Sequence, residues 1–162
     1  FFTYQDEKRL LYELSQMSNK NHLRLTKLAL TTGFRRSELL SLTWRNIDLK
    51  KRIIYIHRKN CAATDNYSAS RIIPLPGKAK KILEELSERH GKIIYLTKGA
   101  ARNGFDKARK KAGLETLRFH DLRHIAISRM WSSGMNALEI SACSGHRDIK
   151  MLMRYSHFQL SI

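Results

Sequence analysis

The chain has 162 residues, 42% of them hydrophobic, and 31 Lys plus Arg against 14 Asp plus Glu give it a formal net charge of +17. That apolar content supports one folded core and excludes a disordered polycationic tail, while no run of about 18 apolar residues suits a membrane span. Residues 1–8 lack the regions of a signal peptide, and Cys61 and Cys143, with no CxxC spacing, suggest neither a zinc site nor a disulfide framework, so a reducing compartment fits best.

Residues 5–17 place Leu10, Leu11, Leu14 and Met17 at helical spacing, and residues 22–32 repeat the pattern with Leu25, Leu28 and Ala29 before a stop at Gly33. A short helix is predicted over 37–42. Two strands follow at 52–57 and 71–75, rich in branched side chains, with a polar loop from Asn60 to Ser70 between them. The pattern then predicts a helix over 77–90, a short strand at 93–96, a helix over 102–112 closed by Gly113, and an almost wholly helical remainder. Gly33, Gly91, Gly113 and Gly134 each stand just past a helical stretch. The expected architecture is mainly α with a small three-stranded antiparallel β-sheet, an α+β fold in one domain over 1–162.

An excess of positive charge this large calls for a polyanion, and DNA, RNA and acidic membrane surfaces all satisfy it. The chemistry-bearing residues narrow the choice. His120 and Arg123 are three apart in His120-Asp121-Leu122-Arg123-His124, which puts an imidazole and a guanidinium on one helix face. Gly145-His146 is followed nine residues later by Tyr155, and Arg35 stands two positions after Gly33 and three before Glu38.

In these boxes the chain resembles the tyrosine recombinase (phage integrase) family, in order and over almost its whole length. The matched residues are Gly33, Arg35 and Glu38, then His120 and Arg123, then Gly145, His146 and Tyr155. The resemblance is to the family's C-terminal catalytic domain. Since the chain also begins without Met, it is expected to be a fragment of a longer protein whose N-terminal DNA-binding domain is absent.

The resemblance implies site-specific DNA recombination without metal, nucleotide or other cofactor. Double-stranded DNA would be the partner, with a tetramer on paired sites, no membrane, and a cytoplasmic, nucleoid-associated setting in a prokaryote or a virus-infected cell. Catalytic roles fall to Arg35, Lys59, His120, Arg123, His146 and the nucleophile Tyr155. The arginines would grip the scissile phosphate, His146 would add a hydrogen bond, His120 would accept or relay the phenol proton, and Lys59 would protonate the leaving 5′-oxygen. Lys59 has an alternative as a backbone-phosphate contact, and Glu38 reads as the partner that orients Arg35. Arg58, Arg71 and Arg118 are candidate DNA contacts, while the 107–111 basic run either lines the duplex or solvates a helix face.

Three departures from the family pattern stand out: Ser144 where Leu is usual, Ile125 where Thr commonly follows the second box, and Leu152 where Thr is frequent. None removes a catalytic group. Two rival functions are a non-catalytic DNA-binding module derived from a recombinase and a type IB topoisomerase-like activity. A metal-dependent nuclease is disfavoured, because His120 and His124 have no HExxH or carboxylate cluster with them.

Overall fold

The protein is described by a computed structural model covering residues 2–57, 70–146 and 148–155. Lys59 and Arg58 lie outside the described residues. Helix α1 (Tyr4–Ser15) starts on a reciprocal cap in which Thr3 Oγ1 accepts the Asp6 N–H at 3.1 Å and the Asp6 carboxylate accepts the Thr3 N–H at 2.8 Å. It buries Leu10 and Leu14, one helical turn apart.

Helix α2 (Asn21–Thr32) is the spine of the molecule. Leu25, Leu28, Ala29 and Leu30 are all at most 3% exposed, so apolar residues surround most of the helix. That pattern suits an element packed on several sides, and α2 touches α1, α3 (Arg36–Ser41), α4 (Gly77–Glu84), α5 (Lys98–Lys111) and α6 (Asp121–Ser132). It ends at Gly33, whose φ of +67° lets its N–H close back on the Ala29 carbonyl at 3.0 Å.

The sheet is antiparallel in the order β1 (Ile47–Asp48), β2 (Ile53–His57), β3 (Ser70–Pro74). Ile54 faces Ile73 across the central ladder, and both are 1% exposed against the helices. The expected fold class is therefore the observed one, with corrections in detail. The predicted strand at 93–96 is absent. Ile93 and Ile94 are buried, yet one bridge, Thr43 to Lys92, stands just before the segment; the Ile93 N–H donates to the Leu42 carbonyl at 3.0 Å, and side chains of α2 meet two further backbone groups. Arg24 donates to the Ile93 carbonyl at 3.1 Å and Asn21 Oδ1 accepts the Tyr95 N–H at 3.1 Å. The third strand is β1 instead, two residues long and too short to show alternation in sequence.

The helix predicted over 77–90 stops at Glu84, since beyond the buried Ala79 and Leu83 the chain turns to the polar Ser87-Glu88-Arg89-His90. The C-terminal third is helical in three pieces, α6, α7 (Ala137–Ser144) and α8 (Lys150–Met153). Most buried apolar side chains form one cluster around α2. A separate small one comprises Ile127, Trp131, Ile140, Leu152 and Tyr155, with Met130 and Met135 packed against both.

Candidate active site

Arg35 is delivered by the turn between α2 and α3. Phe34, 1% exposed, pins that turn in the core, and Arg35 becomes the N-cap of α3. Glu38, three residues on, accepts the Arg35 backbone N–H through Oε2 at 2.8 Å, and its Oε1 lies 3.3 Å from Arg35 Nη1. The Arg35 side chain stays 47% exposed, so Glu38 steadies the guanidinium without covering it.

Arg123 approaches the same turn from α6. It is only 4% exposed and donates from Nη1 to the Gly33 carbonyl at 2.7 Å, which ties residues 90 apart in sequence. Its Nη2 lies 3.4 Å from both ring nitrogens of His146. Burial, followed by the charge of Arg35, pushes the Arg123 pKa down to about 10, which still leaves a full cation at neutral pH.

His146 follows the left-handed Gly145 that ends α7. Burial and then the charges of Arg123 and Arg35 push its pKa down to about 4, so the free protein holds a neutral imidazole there. Ser144 Oγ, fully buried, stands 2.7 Å from His146 Nδ1 and 2.6 Å from the Ile140 carbonyl. The sequence marked Ser144 only as a departure; its hydroxyl is the group that can choose the His146 tautomer.

Tyr155 is 6% exposed and sits in the small apolar cluster, its ring stacked 6.0 Å from that of His124 at an interplanar angle of 27°. Burial raises the phenol pKa above its usual value, against the opposing pull of Arg154 and Arg123. The imidazole in hydrogen-bond contact with its hydroxyl is His124, through Nδ1. His120, the sequence candidate for the phenol proton, packs edge-on to His124 with ring centroids 4.9 Å apart. His124 was visible only as the residue after the second box, and its one-turn offset from His120 was the available signal.

An open cleft of about 440 Å³ takes in several of these groups. Arg35, Arg36, Arg102, Arg109, Arg118, Arg123 and His120 line it beside Phe34, Phe105 and Phe119, with Asp106 the one carboxylate. Of the 107–111 run only Arg109 reaches the cleft, held 2.7 Å from Asp106; Lys107, Lys110 and Lys111 are exposed on α5. Arg102 and Arg36 were not singled out in sequence, because nothing local separates them from other surface arginines. Arg118 borders the cleft with a 77% exposed side chain paired to Asp121 at 3.0 Å. Arg71 turns the other way, toward Glu38 at 3.4 Å.

The phage integrase family model matches residues 1–161. The chain belongs to that family. A shufflon-specific DNA recombinase of Escherichia coli is 38% identical over 134 residues, covering 82% of this chain and 33% of the relative. The catalytic domain of bacteriophage HP1 integrase superposes with a TM-score of 0.76 at 25% identity, covering 98% of this chain and 87% of that one. XerH site-specific recombinase, solved in a post-cleavage complex with a palindromic difH substrate, gives a TM-score of 0.72 at 19% identity over 97% of this chain and 49% of that chain, a likeness of fold. The integrase-family chain described here spans about a third of the length of that E. coli relative.

Proposed function

We propose that this chain is the catalytic part of a site-specific recombinase that cuts and rejoins double-stranded DNA through Tyr155. The observation that carries the reading is Arg35 and Arg123 in the lining of an arginine-rich cleft, with His146 against Arg123 and a buried tyrosine whose hydroxyl meets an imidazole. Two guanidiniums suit a phosphate that gathers charge on its non-bridging oxygens. The Ser144 hydroxyl donates its one proton to the Ile140 carbonyl, so its oxygen accepts from His146 Nδ1–H and holds that ring beside the two guanidiniums, with Nε2 facing Arg123 Nη2 at 3.4 Å.

In the attack, a bond forms between Tyr155 Oη and phosphorus, and the bond from phosphorus to the 5′-oxygen breaks. The phenol proton passes to His124 Nδ1, and His120 stands next in line. His124 is suited to accept it, because burial, aided by the charge of His120, keeps its imidazole below the usual range and neutral. The departing 5′-oxygen takes its proton from a general acid, for which Lys59 remains the candidate. The product is a 3′-phosphotyrosyl bond whose energy allows rejoining to another 5′-hydroxyl without a nucleotide. Tyr155 does not line the cleft, so attack requires the phenol to swing from the small cluster toward Arg123. Exchange between two sites would take a tetramer, each copy supplying one tyrosine.

The test is incubation with a nicked suicide DNA site in EDTA, resolved on a denaturing gel. A covalent adduct is expected for the wild type and none for Tyr155→Phe. An adduct that persists in Tyr155→Phe, or a wild type that never forms one on its own site, rules the reading out.

A further inference from the structure

Arg71 is a DNA-contact candidate by its charge and place in the sequence, yet its side chain is 18% exposed and faces inward. We propose that Arg71 is a positioning residue that locks the Arg35–Glu38 turn to the Gly145–His146 turn and makes no contact with DNA. Its effect on rate rests on the recombinase reading above; the locking itself does not.

Three contacts carry the inference. Arg71 Nη1 and Nη2 lie 3.4 and 3.5 Å from Glu38 Oε1, the same oxygen that faces Arg35 Nη1. The guanidinium stands 5.9 Å from the Phe34 ring, under the turn that presents Arg35. On its other side it occupies the space a side chain at 145 would need: a Cβ there would fall 2.0 Å from Nη1 and 2.7 Å from Cζ. Gly145 is favoured by its φ of +72°, and a side chain there would displace the Arg71 guanidinium from its place beside Glu38.

A merely space-filling role would be met at lower cost by an apolar side chain, since a buried cation loses its hydration and Arg71 Nε is buried with no hydrogen-bond partner among the described residues. The charge has a use at Glu38. With Arg71 in place, Glu38 Oε1 divides its attraction between two guanidiniums, and Arg35 is left half free for a substrate phosphate. Without Arg71 the whole carboxylate charge falls to Arg35, and a phosphate must compete with that ion pair. The Gly145 turn also loses its floor, so His146 shifts from Arg123.

The experiment uses Arg71→Met, Arg71→Lys, Glu38→Gln and the Arg71→Met/Glu38→Gln double variant, with two independent readouts. In urea unfolding of the free protein, the double variant is expected to lose clearly less stability than the two single losses added together. In single-turnover adduct formation at saturating nicked DNA, Arg71→Met is expected to fall at least tenfold while the salt slope of DNA affinity stays at the wild-type value. Arg71→Lys should recover part of the rate, since an ammonium serves Glu38 but cannot fill the same planar space under Gly145. Additive stability losses overturn the lock, and a salt slope reduced by about one with an intact saturated rate makes Arg71 a DNA contact. If the wild type forms no adduct, the recombinase reading fails and the urea cycle alone still decides the lock. Should Arg71→Met not fold, Arg71→Gln, alone and combined with Glu38→Gln, takes its place in both readouts.

Discussion

Arg35 and Arg123 stand on the large core: Phe34 is 1% exposed, Leu122 is fully buried beside Arg123, and the Arg123–Gly33 hydrogen bond joins α6 to the end of the spine helix. Tyr155 stands on a cluster of five buried residues, reached through α8, a helix of four residues whose buried anchor is Leu152. Even there the Trp131 indole N–H is buried without a partner among the described residues. Few buried contacts mean a low cost of local opening. On the recombinase reading, the cations would stay fixed and Tyr155, as nucleophile, would move, which suits a reaction in which the phosphate is gripped first and attacked second.

The strongest way to break that comparison is at the fixed side. Arg35→Ala is expected to lower adduct formation at saturating DNA by roughly 10²–10³, the range for loss of one donor to a developing oxyanion, with thermal stability unchanged because its side chain is half exposed. Arg123→Ala should lose at least as much rate and also lower the melting temperature, since it strands the Gly33 carbonyl. Equal stability in the two variants would contradict the division drawn here.

Leu28→Ala and Leu152→Ala test the two cores directly. Both remove a side chain at most 1% exposed, and each is expected to cost about 2–5 kcal/mol where it sits. For Leu28 the loss should appear as global unfolding. For Leu152 it should appear as faster amide hydrogen exchange confined to residues 150–155. A uniform rise in exchange after Leu152→Ala would mean that the small cluster is not a separate unit.

Finer effects sharpen the picture. Ser144→Ala is expected to lower the cleavage rate by about tenfold, corresponding to about 1.4 kcal/mol, by releasing the His146 tautomer, with DNA affinity retained. His22, His120, His124 and His146 are all held below the usual imidazole range, chiefly by burial, and His146 lies at about 4. His146 is neutral in the folded protein where the unfolded chain binds a proton, so stability should fall as the pH drops from about 6.5 toward 4, and the other three act in the same direction. His146→Asn should flatten that fall in urea midpoints measured across the interval; an unchanged slope would argue against the buried neutral ring.

Helices α2 and α5 and the two longer strands were legible because their apolar spacing reports a burial pattern that local sequence encodes. The boxes around Arg35, Arg123 and His146 were legible as a resemblance. What stayed hidden depends on partners far along the chain. Gly104 reads as a poor residue inside a helix, until the His22 ring is found 2.2 Å from where its Cβ would be, so that Gly104→Ala must displace that buried ring. The segment at 93–96 has the composition of a strand, but its Ile93 carbonyl and Tyr95 N–H are taken by Arg24 and Asn21. Arg71 shares its residue type with the cleft arginines, and only the Glu38 and Gly145 contacts separate them.

The single carboxylate of Glu38 among three guanidiniums has an arithmetic consequence. Arg35, Arg71 and Arg123 against Glu38 leave two uncompensated positive charges, and a neutral His146 adds none. A phosphodiester brings one negative charge, whereas the five-coordinate species formed by an attacking phenolate bears two. On the recombinase reading, the bound substrate leaves the clamp one charge in surplus, and neutrality is reached only at the top of the barrier.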